Sequence, residues 1–253
     1  MLTTIRYILL TALRDWLFFA VPLGIYLIFA LSVFLGGTAL VEKQELAVVF
    51  STGFSRIFVM AGLILFICFH VRRSFENREI EMLLSKPLSR SSFVFCYWLG
   101  FSVLSLAFVL ILLTATWLIF PINLKGMFAW ALSVLLEAQM VCAFSLTCAL
   151  IMRSAVSAVL ASFSFYIIGR LMGFMLAFLD KPGALDTPAV SHWANFALAG
   201  TGMVLPRLDL FGKTEWLLYG FDSQGLWVFL LQAGIYIPLL LAMGMYDFTR
   251  RQF

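Results

Sequence analysis

Six long apolar runs constrain this chain more than any other feature. They fall at about 16–36, 47–70, 93–120, 127–152, 155–179 and 226–246. Each has the length, about 20 residues, that a helix needs to cross a ~30 Å hydrocarbon layer. Overall, 63% of the 253 residues are hydrophobic and 12% are charged. Soluble domains run near 45–50% and about 25%. The excess apolar surface has no water-soluble core to enter, so a bilayer is its solvent. The expected fold is an all-α membrane protein of six transmembrane helices, a single domain over 1–253 that leaves no room for a soluble catalytic domain.

The runs are bounded by charge, Gly or Pro. Gly36-Gly37 and the Glu42–Glu45 cluster end the first; His70, Arg72 and Arg73 end the second; Pro121 and Lys125 end the third. Arg153 separates the fourth from the fifth, Asp180-Lys181-Pro182 end the fifth, and Asp247, Arg250 and Arg251 end the last. In residues 1–15, Leu2, Ile5, Leu9, Ala12 and Leu13 recur at helical spacing among Thr and Arg. That pattern predicts an amphipathic elbow helix in the membrane interface; the alternative is an extension of the first span. The first run exceeds the 7–15 residues of a signal-peptide core and no small-x-small site follows, so it reads as an uncleaved span.

Placing the N-terminus inside puts ten Lys or Arg on the inner side: Arg6, Arg14, Arg72, Arg73, Arg78, Lys86, Arg90, Arg153, Arg250 and Arg251. Six fall outside (Lys43, Arg56, Lys125, Lys181, Arg207 and Lys213), and Arg170 lies inside a span. The bias predicts both termini in the cytoplasm of a multi-pass protein of a bacterial inner (plasma) membrane. The net charge of +4 is thus a matter of orientation in lipid and gives no reason to expect nucleic acid. Cys68, Cys96, Cys142 and Cys148 all lie in apolar runs without a CxxC pair and read as small packing residues. His192 has no second His or Cys nearby, so no metal site is expected.

Two connections are long: 71–92 and 180–225. The second is rich in Trp, Tyr, Phe and Leu, including Trp193, Phe196, Trp216 and Tyr219. It predicts one or two short helices dipping into the outer leaflet, with a surface-lying loop as the alternative. The first reads VRRSFENREIEMLLSKPLSRSS. Ile80, Leu83 and Leu84 share one helical face, Ser74 is a candidate N-cap, and Pro87 is a stop. Glu76, Glu79 and Glu81 suit the N-terminal half of a helix, but anionic headgroups would repel them. Interfacial helices carry Lys and Arg on their polar faces. A protein partner therefore fits this short helix better than lipid.

The stretch Glu79-Ile80-Glu81-Met82-Leu83-Leu84-Ser85-Lys86-Pro87-Leu88-Ser89-Arg90 resembles the pattern E-x-E-x-L-L-S-x-P-[LIV]-S-R. That pattern is typical of ABC exporter permeases of the second type, and the chain is similar to the branch linked to copper-enzyme maturation and gliding motility. The order of features also resembles the family: elbow, six spans, a long outer connection before the last span and an Arg-rich C-terminus. The resemblance implies that Glu76, Glu79, Glu81, Leu83, Leu84 and Pro87 belong to a coupling helix docking on a separate ATPase subunit, which would bind ATP and Mg. It further implies a second permease chain as partner, in a homo- or heterodimer, and reentrant helices capping the outer end. The chain carries no P-loop of its own: at Gly212-Lys213-Thr214, Arg207 stands where the first Gly is required.

Glu137 and Arg170 stand inside spans, where charges face the bundle interior and pair. Glu137 is 10 residues past Met127 and Arg170 is 9 before Leu179, which sets both roughly 14–15 Å below the outer surface. A Glu137–Arg170 salt bridge is expected, with Gln139 or Tyr166 as supporting partners. Its role is open between a structural clamp on the hairpin and a polar element of a pathway or dimer interface. Gly169 and Gly173 form a GxxxG that permits close helix approach. Two other functions compete with export: a non-transporting membrane scaffold, and an intramembrane enzyme. The latter lacks a nucleophile–base or metal constellation in the sequence.

Overall fold

The computed structural model describes residues 2–38, 43–77, 90–120, 123–179, 205–220 and 226–250. Among them there is no strand, and six helices are long and apolar enough to cross a membrane. α1 (Leu2–Arg14) and α2 (Trp16–Thr38) are separate helices. The break falls at Asp15, whose Oδ1 accepts the Leu17 amide at 3.1 Å and so caps α2. α3 (Lys43–Glu76), α4 (Arg90–Ile119), α5 (Leu124–Ile151) and α6 (Ala155–Leu179) follow. A 3-10 turn (Leu208–Leu210), a short α7 (Glu215–Tyr219) and α8 (Leu226–Arg250) complete the described elements. The fold is an all-α membrane protein.

α5 is the axis of the bundle. It packs against α3, α4, α6, α7 and α8, and 72% of its apolar window is buried, against 22% for α2. Its sequence explains this. Ala129, Ala131, Ala138, Ala143 and Ser133, Ser145 keep its surface low and let neighbours approach. The peripheral helices instead present Phe19, Leu23, Phe34, Trp117, Phe174 and Leu231 outward, as lipid-facing surfaces require.

α2 and α3 share the most extensive contact of any two long helices among the described residues. Gly62 makes the approach possible, since a Cβ there would stand 2.5 Å from Val21 Cγ2. Val21 is β-branched and cannot swing its methyl away. Gly62→Leu is expected to separate the pair at a cost of about 1–3 kcal/mol. Gly234→Leu, where a Cβ meets nothing within 4 Å, should be tolerated. Thermal unfolding of the two variants in detergent compares them.

One boundary differs from the sequence reading. α3 does not stop near His70 but continues to Glu76. Ser74 is buried inside its last turns, so it caps no new helix. Glu76 sits at the C-terminal end of a long helix, where the dipole disfavours an acid, and it is held by Arg72 at 2.9 Å one turn back. The extension has a packing cause: Val71 and Ser74 still face the core after the charges begin. Glu79, Glu81, Leu83, Leu84 and Pro87 of the expected coupling helix lie outside the described residues, as do 180–204 and 221–225 with His192.

Candidate functional site: a buried charge cluster under a docked loop

Three charged side chains from three helices meet inside the bundle. Glu137 on α5 is fully buried. Its carboxylate lies 3.9 Å from Arg170 Nη1 on α6 and 3.7 Å from Arg56 Nε on α3. The expected pair is therefore a triad. Arg56, grouped by sequence with the residues outside the membrane, is 3% exposed and buried in the core. The signal was legible: Arg56 is 9 residues past the start of the 47–70 run, the same depth as Glu137 and Arg170. The neighbouring Ser51, Thr52 and Ser55, all buried, mark α3 as polar on this face. Each of the three donates its hydroxyl back to its own helix, Ser51 and Thr52 to Val48 O and Ser55 to Ser51 O.

Two cations against one anion leave an excess positive charge, and the loop before α8 supplies what balances it. Arg56 Nη1 donates to the carbonyls of Phe211, at 2.9 Å, and Gly212. Arg170 Nη1 donates to Leu208 O at 2.8 Å and Phe211 O at 3.0 Å. Both arginines thus share one carbonyl. On the other side Ser133 Oγ of α5 accepts the Gly212 amide at 3.0 Å. Irregular backbone is tolerated at membrane depth only where protein satisfies its polar groups. Here the arginines do so, roughly 14–20 Å from the near helix ends.

The helix surfaces are cut to receive the loop. Gly173 faces Asp209 with no space for a Cβ, and Gly169 faces Leu208 and the Pro206 carbonyl, where a Cβ would be tight at 3.0 Å. The GxxxG of α6 therefore seats a 3-10 turn rather than another helix. Gly126 of α5 receives the Trp216 carbonyl of α7 in the same way. Gly212 itself has φ +59, and a side chain there would run into the Arg56 guanidinium. Asp209 is held to Arg207 at 3.0 Å.

Of the two supporting partners expected for Glu137, Tyr166 is buried and its hydroxyl interacts with the carboxylate. Gln139 is elsewhere. It bonds Ser102 and Ser105 of α4, the latter at 2.8 Å, because two positions along a helix turn a side chain some 200° away from Glu137. Neither guanidinium stands at hydrogen-bonding distance from the Glu137 carboxylate, so its ties to them are electrostatic. Above the triad is a cavity of about 280 Å³ lined by Arg56, Arg170, Asp209, Lys213, Thr214 and Glu215. The four cysteines are free and buried, and among the described residues no three His, Cys, Asp or Glu side chains gather as metal ligands.

The fold and this site define a polytopic membrane protein whose non-helical loop is docked on intramembrane charges. No protein-family model matches the chain, and no curated protein matches it significantly.

Proposed function

We propose that this chain is the membrane-spanning subunit of an ATP-driven exporter. A separate ATPase subunit would bind ATP and Mg, and a second permease chain would complete the pathway. Carrying the reading is the resemblance of 79–90 to a coupling segment, in a chain whose order is short helix, six spans and a long connection before the last. The segment joins α3 to α4, so movement there would be delivered to α3, which carries Arg56 and touches α2, α5 and α6. In this reading both termini are cytoplasmic, in a bacterial inner membrane, and the docked loop closes the outer end.

The triad gives the proposal a physical element. Its three charges come from three helices and are joined without direct hydrogen bonds between them. Such a contact can be re-formed at a different helix spacing more readily than a bidentate one. A rocking bundle needs such bistable contacts.

Affinity purification of the tagged chain in mild detergent, with mass spectrometry of what accompanies it, tests the proposal. An ABC ATPase is expected with the wild type and not with Glu81→Arg plus Leu84→Asp. Absence of any ATPase from the wild-type preparation would refute it.

A further inference from the structure

On the N-terminal side of the bundle, opposite the triad's loop, α1 and the end of α3 enclose a polar cleft of about 420 Å³. Its two walls each bring one arginine: Arg14 from the last turn of α1 and Arg73 from the last turn of α3. Neither has an ion-pair or hydrogen-bond partner among the described residues, whereas Arg72 beside them is paired with Glu76. Among the described residues Asp15 is the one acid in the lining, and its Oδ1 is engaged by the Leu17 amide. The described lining therefore carries net positive charge. Thr11 and Ser74 add hydroxyls.

Beside the cleft the lipid-facing surface is apolar. Next to the lining residues Thr11, Arg14 and Asp15, α1 exposes Leu10 at 51% and Leu13 at 48%, and Trp16 at the start of α2 is 83% exposed. Exposed Leu and Trp at the end of a membrane span lie where headgroups meet acyl chains. A soluble anion would gain nothing from that neighbouring surface. A lipid would place its phosphate between the arginines and its chains along Leu10, Leu13 and Trp16.

We propose that this cleft is a binding site for the phosphate of an anionic phospholipid from the leaflet on the N-terminal side. Arg14 and Arg73 grip it from opposite walls, tying α1 to α3. The proposal needs only the membrane setting of the fold and is independent of the transport reading.

The test is native mass spectrometry of the full chain in detergent micelles containing equal amounts of phosphatidylglycerol and phosphatidylcholine. The wild type should retain phosphatidylglycerol selectively. A charge-assisted hydrogen bond from one arginine to a phosphate is worth about tenfold or more in affinity, so Arg14→Gln plus Arg73→Gln should reduce retention by more than tenfold. Arg14→Lys plus Arg73→Lys should keep most of it. Arg153→Gln plus Arg250→Gln removes the same charge from the same side outside the cleft and should leave retention unchanged. Thermal unfolding confirms that each variant is folded. Equal losses in the two Gln pairs would overturn the proposal in favour of diffuse surface attraction, and so would equal retention of the two lipids. Displacement of the lipid by excess inorganic phosphate would also overturn it, by assigning the cleft to a soluble anion.

Discussion

Glu137→Ala is expected to lose on the order of 3–5 kcal/mol of stability, the largest effect of any single substitution in this chain. The carboxylate is fully buried and is the nearest anion to both Arg56 and Arg170. Removing it leaves two guanidiniums facing each other, one of them, Arg56, almost wholly shielded from solvent. The order of the arginines also follows from burial. Arg56, at 3% exposure, should couple more strongly to Glu137 than Arg170, at 27%. A double-mutant cycle on unfolding in mixed micelles measures both couplings. Arg56→Met combined with Glu137→Met should recover part of the loss, because a neutral pair strands less charge than either single change. Wild-type stability of Glu137→Ala would mean that the carboxyl is not holding the cluster.

The second large effect is expected at Gly212. Its φ of +59 costs a non-glycine residue about 1–2 kcal/mol, and an added Cβ would overlap the Arg56 guanidinium. Gly220 shows a positive φ without a clash. At φ +89 and ψ 173 it lies in a glycine-only region but meets nothing within 4 Å, so Gly220→Ala should cost about 1–3 kcal/mol of backbone strain alone. Gly212→Ala should cost its own strain plus about 1–3 kcal/mol of overpacking, and should free the loop from both arginines. Limited proteolysis near 205–220 and thermal unfolding read the two parts. Equal behaviour of the two variants would show that the loop is not clamped by Arg56.

Much of this architecture is written in the sequence. Apolar runs of spanning length identify six helices, because no other solvent than lipid suits them. Residue counting also set Glu137 and Arg170 at one depth, and the structure holds them 3.9 Å apart. Arg56 reads as a loop residue when its charge alone is weighed for orientation, although it stands within an apolar run. The end of α3 is hidden for the converse reason. Charges after His70 resemble a boundary, but a helix can leave the hydrocarbon and keep turning while Val71 and Ser74 remain packed. What the sequence could not show is that Gly169 and Gly173 accept a loop, since a small-residue stripe does not specify its occupant. Nor could it show that two arginines would spend their donors on backbone carbonyls.

Movement of this bundle by ATP, as proposed, is tested most directly at Thr214, half-buried at the cavity above the triad. The four native cysteines are buried, so a Thr214→Cys variant can be labelled with a membrane-impermeant maleimide over little background. In the ATPase-bound complex in nanodiscs, labelling is expected to change severalfold between the nucleotide-free and the ATP-trapped state. The same rate in both states, in a complex that hydrolyses ATP, would contradict an energised pathway and leave this chain a scaffold.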